Sequence, residues 1–194
     1  MGSKKESTFI NMVITLLVIA AVSAGVLGGV YVLTKEPIAI AKKKKQEKAI
    51  KMVLPAFDKL KSVKVPDARG NDSLLFTYAE KEGKVIGVAV NTYSDKGFGG
   101  LVYLMVGFLP DGTINNTAVL SHSETPGLGT KMSSPEFKDQ FNGKNPGKFV
   151  LKVTKDKGDV DAITAATISS RAFCDAVDRA YLTFNKEFKD NGIN

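Results

Sequence analysis

Residues 101–109 read LVYLMVGFL, an almost unbroken apolar run with the length of one strand. A run of this kind is expected of a strand that is buried on both faces of a sheet. Pro110-Asp111-Gly112 follows, a combination typical of a tight turn, and leads into a second strand at Thr113–Leu120. This stretch therefore predicts a central, buried strand and a second strand that completes a hairpin with it.

Further strands are predicted on both sides of this hairpin. Leu74–Ala79 and Val85–Tyr93 alternate apolar and polar residues, and Glu82-Gly83 is the predicted turn between them. Phe149–Val153 predicts one more strand, and Pro135–Phe141 a short helix. Strands that do not alternate regularly with helices indicate an α+β domain, a single sheet with flanking helices, and not a doubly wound fold.

Two longer helices complete the predicted elements. One runs from Ile38 to about Leu54, where Pro55 ends the pattern. The other covers residues 168–188 and is amphipathic, because its apolar residues recur at the spacing of one helix face. These residues are Phe173, Ala176, Val177, Ala180, Tyr181, Phe184 and Phe188.

The N-terminal region is apolar and uncharged from Phe9 to Thr34. As a helix it would rise about 39 Å, and the hydrocarbon core of a bilayer is roughly 30 Å thick. We therefore predict a short tail at residues 1–8, a transmembrane helix at 9–34 and one folded domain at 35–194. A cleavable signal peptide ending near Ala24 is the alternative, but the apolar run continues well past that residue.

The formal net charge of the chain is +7. The densest lysine cluster, Lys42–Lys45, lies beside the apolar segment, where membrane lipid is the nearest anionic partner. Because no basic strand is rich in aromatic residues, nucleic-acid binding is not expected. Taken alone, the lysines also favour a domain on the cytoplasmic side of the membrane.

One cysteine, Cys174, and one histidine, His122, limit the possible chemistry. They exclude an internal disulfide and a metal site of the usual Cys/His composition, and we predict no metal site and no catalytic residue. A structural role is expected for His122, and Cys174 is expected to be a small, inert filler. The chain also has no glycine fingerprint for NAD and no cysteine set for an iron–sulfur cluster.

The loop after the central hairpin is the first candidate site. Residues 121–131 read SHSETPGLGTK and contain two glycines and four hydroxyl side chains. Such a loop offers backbone N–H groups and hydroxyls to the polar edge of a planar ligand or to a phosphate. A solvated connection between a strand and a helix can have the same composition, and composition alone favours that interpretation.

The segment before the final helix is the second candidate site, and residues 161–170 read DAITAATISS. The first turn of a helix has unpaired N–H groups and the positive end of the helix dipole, and both stabilise a phosphate. Thr164, Thr167, Ser169 and Ser170 bring more hydroxyls to this turn than capping requires. An ordinary N-cap with spare hydroxyls remains the alternative, and these physical arguments leave the two interpretations nearly balanced.

The same segment resembles a known motif. Asp161-x-x-Thr164-Ala165-Ala166-Thr167-x-x-Ser170 is similar to the flavinylation motif of the FMN-binding domain family, Asp-x-x-(Ser/Thr)-Gly-Ala-Thr-x-x-(Ser/Thr). Glu124–Lys131, ETPGLGTK, resembles the second signature of that family, a loop that lines the flavin ring, and Gly97-Phe98-Gly99-Gly100 also resembles the family pattern. Two motifs in this order make the resemblance specific, and it covers the anchor and essentially all of the domain. The one departure is Ala165, where the family usually has glycine; alanine fits there if its φ is negative.

The resemblance implies a covalent cofactor and its contacts. FMN would be joined by a phosphoester bond to Thr167, and a separate magnesium-dependent flavin transferase would make that bond from FAD. Ring and ribityl contacts are expected from Glu124, Thr125, Leu128, Gly129 and Thr130, and the phosphate is expected among Thr164, Ala166, Ile168 and Ser169. Gly127, Ala165 and Lys131, whose ammonium could pair with the phosphate, complete the predicted set.

Within the family, the length and the single span are most similar to the RnfG proteins of Rnf complexes, which are ion-translocating ferredoxin:NAD oxidoreductases. The NqrC proteins of the sodium-translocating NADH:quinone reductases are close relatives but are usually longer. The resemblance implies a one-electron carrier that works with the other subunits of its complex. It also implies a flavin domain on the outer face of the bacterial inner membrane, and we follow it over the lysine count. A stand-alone membrane-tethered flavin reductase and a non-redox tethered binding module are the alternatives.

Overall fold

A computed structural model of the chain describes residues 8–70 and 72–191. Five strands form one antiparallel sheet in which each strand pairs with the next along the chain. They are β1 (Lys59–Pro66), β2 (Ser73–Lys81), β3 (Lys84–Gly97), β4 (Gly100–Phe108) and β5 (Ile114–Ser121). The helices are α1 (Phe9–Val53), the short α2 (Pro135–Lys138) and α3 (Thr167–Asn191). The predicted α+β fold, one sheet with flanking helices, is confirmed.

The two predicted hairpins are present. Glu82 and Gly83 join β2 to β3 with φ values of 51° and 76°, the left-handed pair that a two-residue hairpin turn requires. Asp111 and Gly112 turn the chain from β4 to β5, and the amide of Leu109 donates to the carbonyl of Thr113 (2.8 Å). β4 has a neighbour on each side, as predicted from its unbroken apolar run.

α3 covers one face of the sheet with large side chains. Phe173, Val177 and Phe184 are buried against β3 and β4, and the ring centroids of Phe108 and Phe184 lie 4.8 Å apart. α2 and the 3-10 helix Asp139–Phe141 close one end of this core, and together they confirm the short helix predicted there. Phe137 and Phe141 of these short helices pack against Phe173 of α3.

The last turn of α1 covers the other face with small residues. Ala49 and Val53 pack against the alanines of the sheet. A Cβ at Gly107 would overlap the carbonyl oxygen of Val53, and the side-chain amide of Asn115 donates to that same oxygen (2.8 Å). The end of α1 is therefore held against β4 and β5 by a close backbone approach and one hydrogen bond.

α1 is one helix of 45 residues with Pro37 inside it, so the predicted helices at 9–34 and 38–54 are parts of the same element. Within the described chain it is the one helix long and apolar enough to cross a membrane, and its apolar side chains up to Ile40 are exposed. The chain divides into two compact units between Lys44 and Lys45, inside this helix. Apart from Thr8, the predicted tail at residues 1–8 lies outside the described residues.

Two strand predictions require correction. β1 was not predicted, because its lysines and its exposed Leu60 and Val63 hide the alternation; only Val65 is buried on this edge strand. The strand predicted at Phe149–Val153 is wrong. Val153 makes an isolated parallel bridge to Val160, and the amide of Val150 donates to the carboxylate of Asp159 (2.7 Å). The backbone partners here are local and not those of a strand in the sheet.

Candidate functional site

A cleft of about 220 Å³ lies where the loop after β5 meets the first turn of α3. The two segments singled out in the sequence therefore face each other across one space. Its walls are formed by Phe98, Glu124, Thr125, Leu128, Gly129, Ala165, Ala166, Ile168 and Ser169.

The loop 121–131 keeps its shape through its own backbone and hydroxyls. The carbonyl of Thr125 accepts from the amide of Leu128 (3.2 Å), and the amide of Gly127 donates to the hydroxyl oxygen of Thr130 (3.0 Å). Gly127 has a φ of 77°, so the turn uses the left-handed conformation that glycine adopts easily. Neither Gly127 nor Thr130 lines the cleft; both hold the loop that carries Thr125, Leu128 and Gly129.

Glu124 connects this loop to two other segments. Its Oε1 accepts from the amide of Gly99 in the β3–β4 turn (3.0 Å), and its Oε2 accepts a short hydrogen bond from the hydroxyl of Ser169 in α3. Its own amide donates to Nδ1 of His122 (3.2 Å), which fits the structural role expected for that histidine. Only 5% of Glu124 is exposed. The carboxylate therefore lies in the wall of the cleft, with protein donors on both oxygens.

Ala165 has a φ of 61°, so the condition under which alanine would fit this position, a negative φ, is not met. The amide of Ala166 donates to the carbonyl of Ile163 (2.9 Å), which makes Thr164 and Ala165 the central residues of a tight turn. A turn of type II requires a left-handed residue at its second central position, usually glycine. The glycine that is usual in the family motif is thus explained by geometry, and this chain places an alanine in the same conformation.

Thr167 is the first residue of α3 and is half-buried. Among the residues that the structure describes, none forms a hydrogen bond with its hydroxyl, although the neighbouring Ser170 is fully engaged. Ser170 Oγ accepts from the amide of Ile163 (2.9 Å) and donates to the carbonyl of Ala166 (3.0 Å). Ser170 is therefore the residue that fixes the turn, which leaves the Thr167 hydroxyl available for other chemistry.

Two predicted residues, Thr164 and Lys131, line a separate groove of about 500 Å³, next to α2. Gln140 holds this side of the segment: its side-chain oxygen accepts from the amide of Asp161 (2.8 Å), and its side-chain nitrogen donates to the carbonyl of Asp161 (3.2 Å). Because they line this groove and not the cleft, Lys131 and Thr164 lie apart from Glu124 and Ser169.

The sequence analysis did not assign a site role to Phe98 or Gln140. Phe98 is 70% exposed and lines the cleft. The sequence feature that could have indicated this position is a single aromatic residue among three glycines. Gln140 carried no signal, because a glutamine in a short helix is usually a surface residue. Cys174 is buried, and this burial raises the pKa of its thiol to about 12, which agrees with an inert filler.

Comparison with known proteins extends these observations. Residues 97–182 match the FMN-binding domain family, and residues 4–53 match the RnfG N-terminal region. The G subunit of an ion-translocating oxidoreductase complex from Methanosarcina acetivorans is 35% identical over 184 residues, which cover 93% of this chain and 95% of the relative. The protein of the same description from Vibrio vulnificus is 34% identical and covers 84% of this chain and 83% of its own length.

Two further proteins are similar. The G subunit of a proton-translocating ferredoxin:NAD(+) oxidoreductase complex from Clostridium ljungdahlii is 31% identical over 91% of this chain and 92% of its own length. The crystal structure of Shewanella oneidensis NqrC superimposes with a TM-score of 0.48 at 24% identity, over 72% of this chain and 73% of that one.

Proposed function

This chain belongs to the family of the G subunits of ion-translocating oxidoreductase complexes, and we propose that it relays electrons through an FMN joined covalently to Thr167. The relatives support this proposal because they align with the chain over nearly its whole length. The observation that carries the proposal is the cleft between the loop 121–131 and the N-terminal turn of α3. Two motifs that are distant in sequence meet there. Thr167 does not itself line the cleft, but its chain neighbours Ala166 and Ile168 do.

The residues that line the cleft suit a flavin ring, and the volume of the cleft would hold part of one. Phe98, Leu128 and Ile168 offer exposed apolar surface to the faces of a planar ring, while Gly129 and Ala166 let it approach the backbone. Pockets that enclose a drug-sized ligand usually measure roughly 300–1,000 Å³. A cleft of about 220 Å³ would leave part of a flavin exposed, as a carrier needs when it exchanges electrons with a partner.

Attachment would use the free hydroxyl of Thr167. Its Oγ1 would attack the phosphorus on the FMN side of FAD, the anhydride bond would break, AMP would leave, and the hydroxyl proton would pass to solvent. The flavin transferase would supply the catalytic groups for this step. The unpaired amides in the first turn of α3 would then stabilise the phosphate diester, with Ala166, Ile168 and Ser169 around it. Ala165 would form the turn that precedes Thr167. Gly127 and Thr130 would keep the shape of the loop 121–131 on the other side of the cleft.

The groove beside α2 contains the two remaining predicted site residues. Lys131 and Thr164 line it together, next to the turn that precedes Thr167. We assign them to the outer side of the phosphate, where Lys131 supplies positive charge without entering the ring cleft. Glu124, Thr125, Leu128 and Gly129 are assigned to the ring side, together with Phe98.

Bound FMN supplies one-electron redox chemistry that no side chain of this protein provides. The chain's own part is to hold the ring at a fixed place, exclude water from one side of it and leave the other side accessible. The chain would be a carrier that depends on the other subunits for substrate oxidation, in the manner of the complexes for which its relatives are named.

The membrane part of the proposal follows from α1. We propose that residues 9–34 span the inner membrane once and that residues 35–194, the FMN-binding domain, lie on its outer face, with membrane lipid around the span. The exposed apolar side chains of α1 support the span. Lys42–Lys45 would then lie on the outer side, against the positive-inside tendency, which is a statistical rule.

The proposal is tested with the full chain in detergent, produced with and without a flavin transferase. Flavin fluorescence should stay with the band of the wild-type chain on a denaturing gel only when the transferase is present. Thr167→Ala should abolish it, while Thr154→Ala, which changes an exposed threonine outside the cleft, should keep it. A dark wild-type band, with the transferase shown to be active on another substrate, would exclude covalent FMN.

A further inference from the structure

The Glu124 carboxylate has an unusual position for a charged group. It is buried, it lines the cleft, and its two oxygens accept hydrogen bonds from different parts of the chain. One donor is the amide of Gly99 in the β3–β4 turn, and the other is the hydroxyl of Ser169 in α3. The loop that carries Glu124 is thereby tied to both of its neighbours across the cleft wall.

The backbone around this carboxylate is built to admit it. A Cβ at Gly97 would lie 2.6 Å from Glu124 Oε1, and a Cβ at Gly129 would lie 2.7 Å from Oε2 and 2.5 Å from Ser169 Oγ. A Cβ at Gly99 would overlap the carbonyl oxygen of Ser123, the residue before Glu124. Three glycines therefore leave room for one side chain and its loop.

The donors to this carboxylate are neutral. Within residues 8–70 and 72–191, no salt bridge includes Glu124. Its charge is then stabilised by hydrogen bonds but not cancelled by a cation, and in a partly buried site such a charge acts over a longer range than in water.

We propose that Glu124 is a positioning residue with two effects: it ties the walls of the cleft together through Gly99 and Ser169, and its charge biases a flavin in the cleft toward the oxidised form. The second effect rests on the proposed function. Reduction adds negative charge to a flavin, and a fixed negative charge in the cleft wall disfavours that addition. The tie exists in the chain itself and does not depend on the cofactor.

Two substitutions separate the two effects. Glu124→Gln has nearly the same shape, keeps an oxygen to accept from Gly99 and removes the charge. Ser169→Ala removes one donor and keeps the charge. Glu47→Gln is the control for charge, because it removes an exposed carboxylate on α1 that lines neither the cleft nor the groove beside α2.

The tie is measured on full chains in detergent that were produced without the transferase. We expect Ser169→Ala to lower the unfolding temperature by about 3–8 °C, because a buried carboxylate loses one of its donors. Glu124→Gln should lower it less, and Glu47→Gln should leave it near the wild-type value. An unfolding temperature of Ser169→Ala equal to that of the wild type would overturn the tie.

The charge is measured on the flavin-bearing chains by spectroelectrochemical titration. In Glu124→Gln we expect the ratio of reduced to oxidised flavin at a fixed applied potential to rise roughly tenfold, which is about 59 mV for a one-electron couple or about 30 mV for a two-electron couple. A midpoint potential equal to those of the wild type and Glu47→Gln would overturn the role of the charge. A wild-type chain without attached flavin would overturn the proposed function instead, and the unfolding temperatures would still decide the tie.

Discussion

Two glycines that have no room for a side chain, Gly107 in β4 and Gly129 in the loop after β5, differ in what they face. At Gly107 the neighbour is the main chain of Val53, in a closed contact between β4 and the last turn of α1. At Gly129 the neighbours are the side chains of Glu124 and Ser169, in the wall of an open cleft. Both places depend on glycine, but only the second leaves polar atoms beside a space that a ligand can enter.

The difference shows how a glycine can be interpreted. A glycine that faces a backbone carbonyl in a closed core fixes the packing of two elements, and its replacement should damage the whole domain. A glycine that faces hydrogen-bonded side chains beside a cleft shapes a site, and its replacement should damage the site before the fold. Substitutions at these two glycines and at Ala165 test this distinction, from the largest expected effect to the smallest.

The largest effect is expected for Gly107→Ala. The new Cβ would overlap the carbonyl oxygen of Val53, which cannot move without displacing the end of α1, so we expect a loss of about 3 kcal/mol or more in the free energy of unfolding. Chemical denaturation of the full chain in detergent measures it. Gly70→Ala is the control, because a Cβ there meets no atom within 4 Å. Equal stability of the two variants would remove the distinction.

An intermediate effect is expected for Gly129→Ala. Its Cβ meets the ends of two side chains that can shift, so we expect the unfolding free energy to fall by about 1–3 kcal/mol, less than for Gly107→Ala. The fraction of chains that carry flavin, measured from the intact mass after production with the transferase, should fall as well. If that fraction equals the fraction in Gly70→Ala, Gly129 does not shape the site.

The smallest effect has the opposite sign and concerns Ala165. Relief of its left-handed φ by Ala165→Gly should raise the unfolding free energy by about 0.5–1 kcal/mol, because the steric cost of alanine there exceeds the added entropy of glycine in the unfolded chain. Ala56→Gly, at an exposed position outside the positive-φ set, should be neutral or destabilising. A loss of stability in Ala165→Gly would mean that the turn does not strain the alanine.

Sequence patterns predicted the parts of the fold in which one face of an element is buried. The strands β2 and β3 and the helix α3 were found because each alternates between core and solvent with its own period. The β4–β5 hairpin was found from the unbroken apolar run of β4 and the turn residues that follow it. β1 was missed because an edge strand faces solvent on most of its surface. Phe149–Val153 was misassigned because a short apolar run does not show whether its backbone pairs with a strand or with a nearby loop.

The site was predictable as two segments but not as an arrangement. Motif order brought the loop 121–131 and the segment 161–170 into one hypothesis, and the structure places them on one cleft. The positive φ of Ala165 and the position of Lys131 in a groove outside the cleft could not be predicted, because the turns and packing that cause them have no local sequence signal. Phe98 received no site role because its place in the cleft lining depends on how the β3–β4 turn folds and not on its neighbours in sequence.

The most direct test of covalent attachment locates the modified residue. Trypsin should release residues 158–171 as one peptide, since Lys157 precedes it and Arg171 ends it, and this peptide contains Thr164, Thr167, Ser169 and Ser170. In chains produced with the flavin transferase, tandem mass spectrometry should find this peptide heavier by FMN less one water, with the added mass on Thr167. The same mass on Thr164 or on a serine, or an unmodified peptide, would contradict attachment at Thr167.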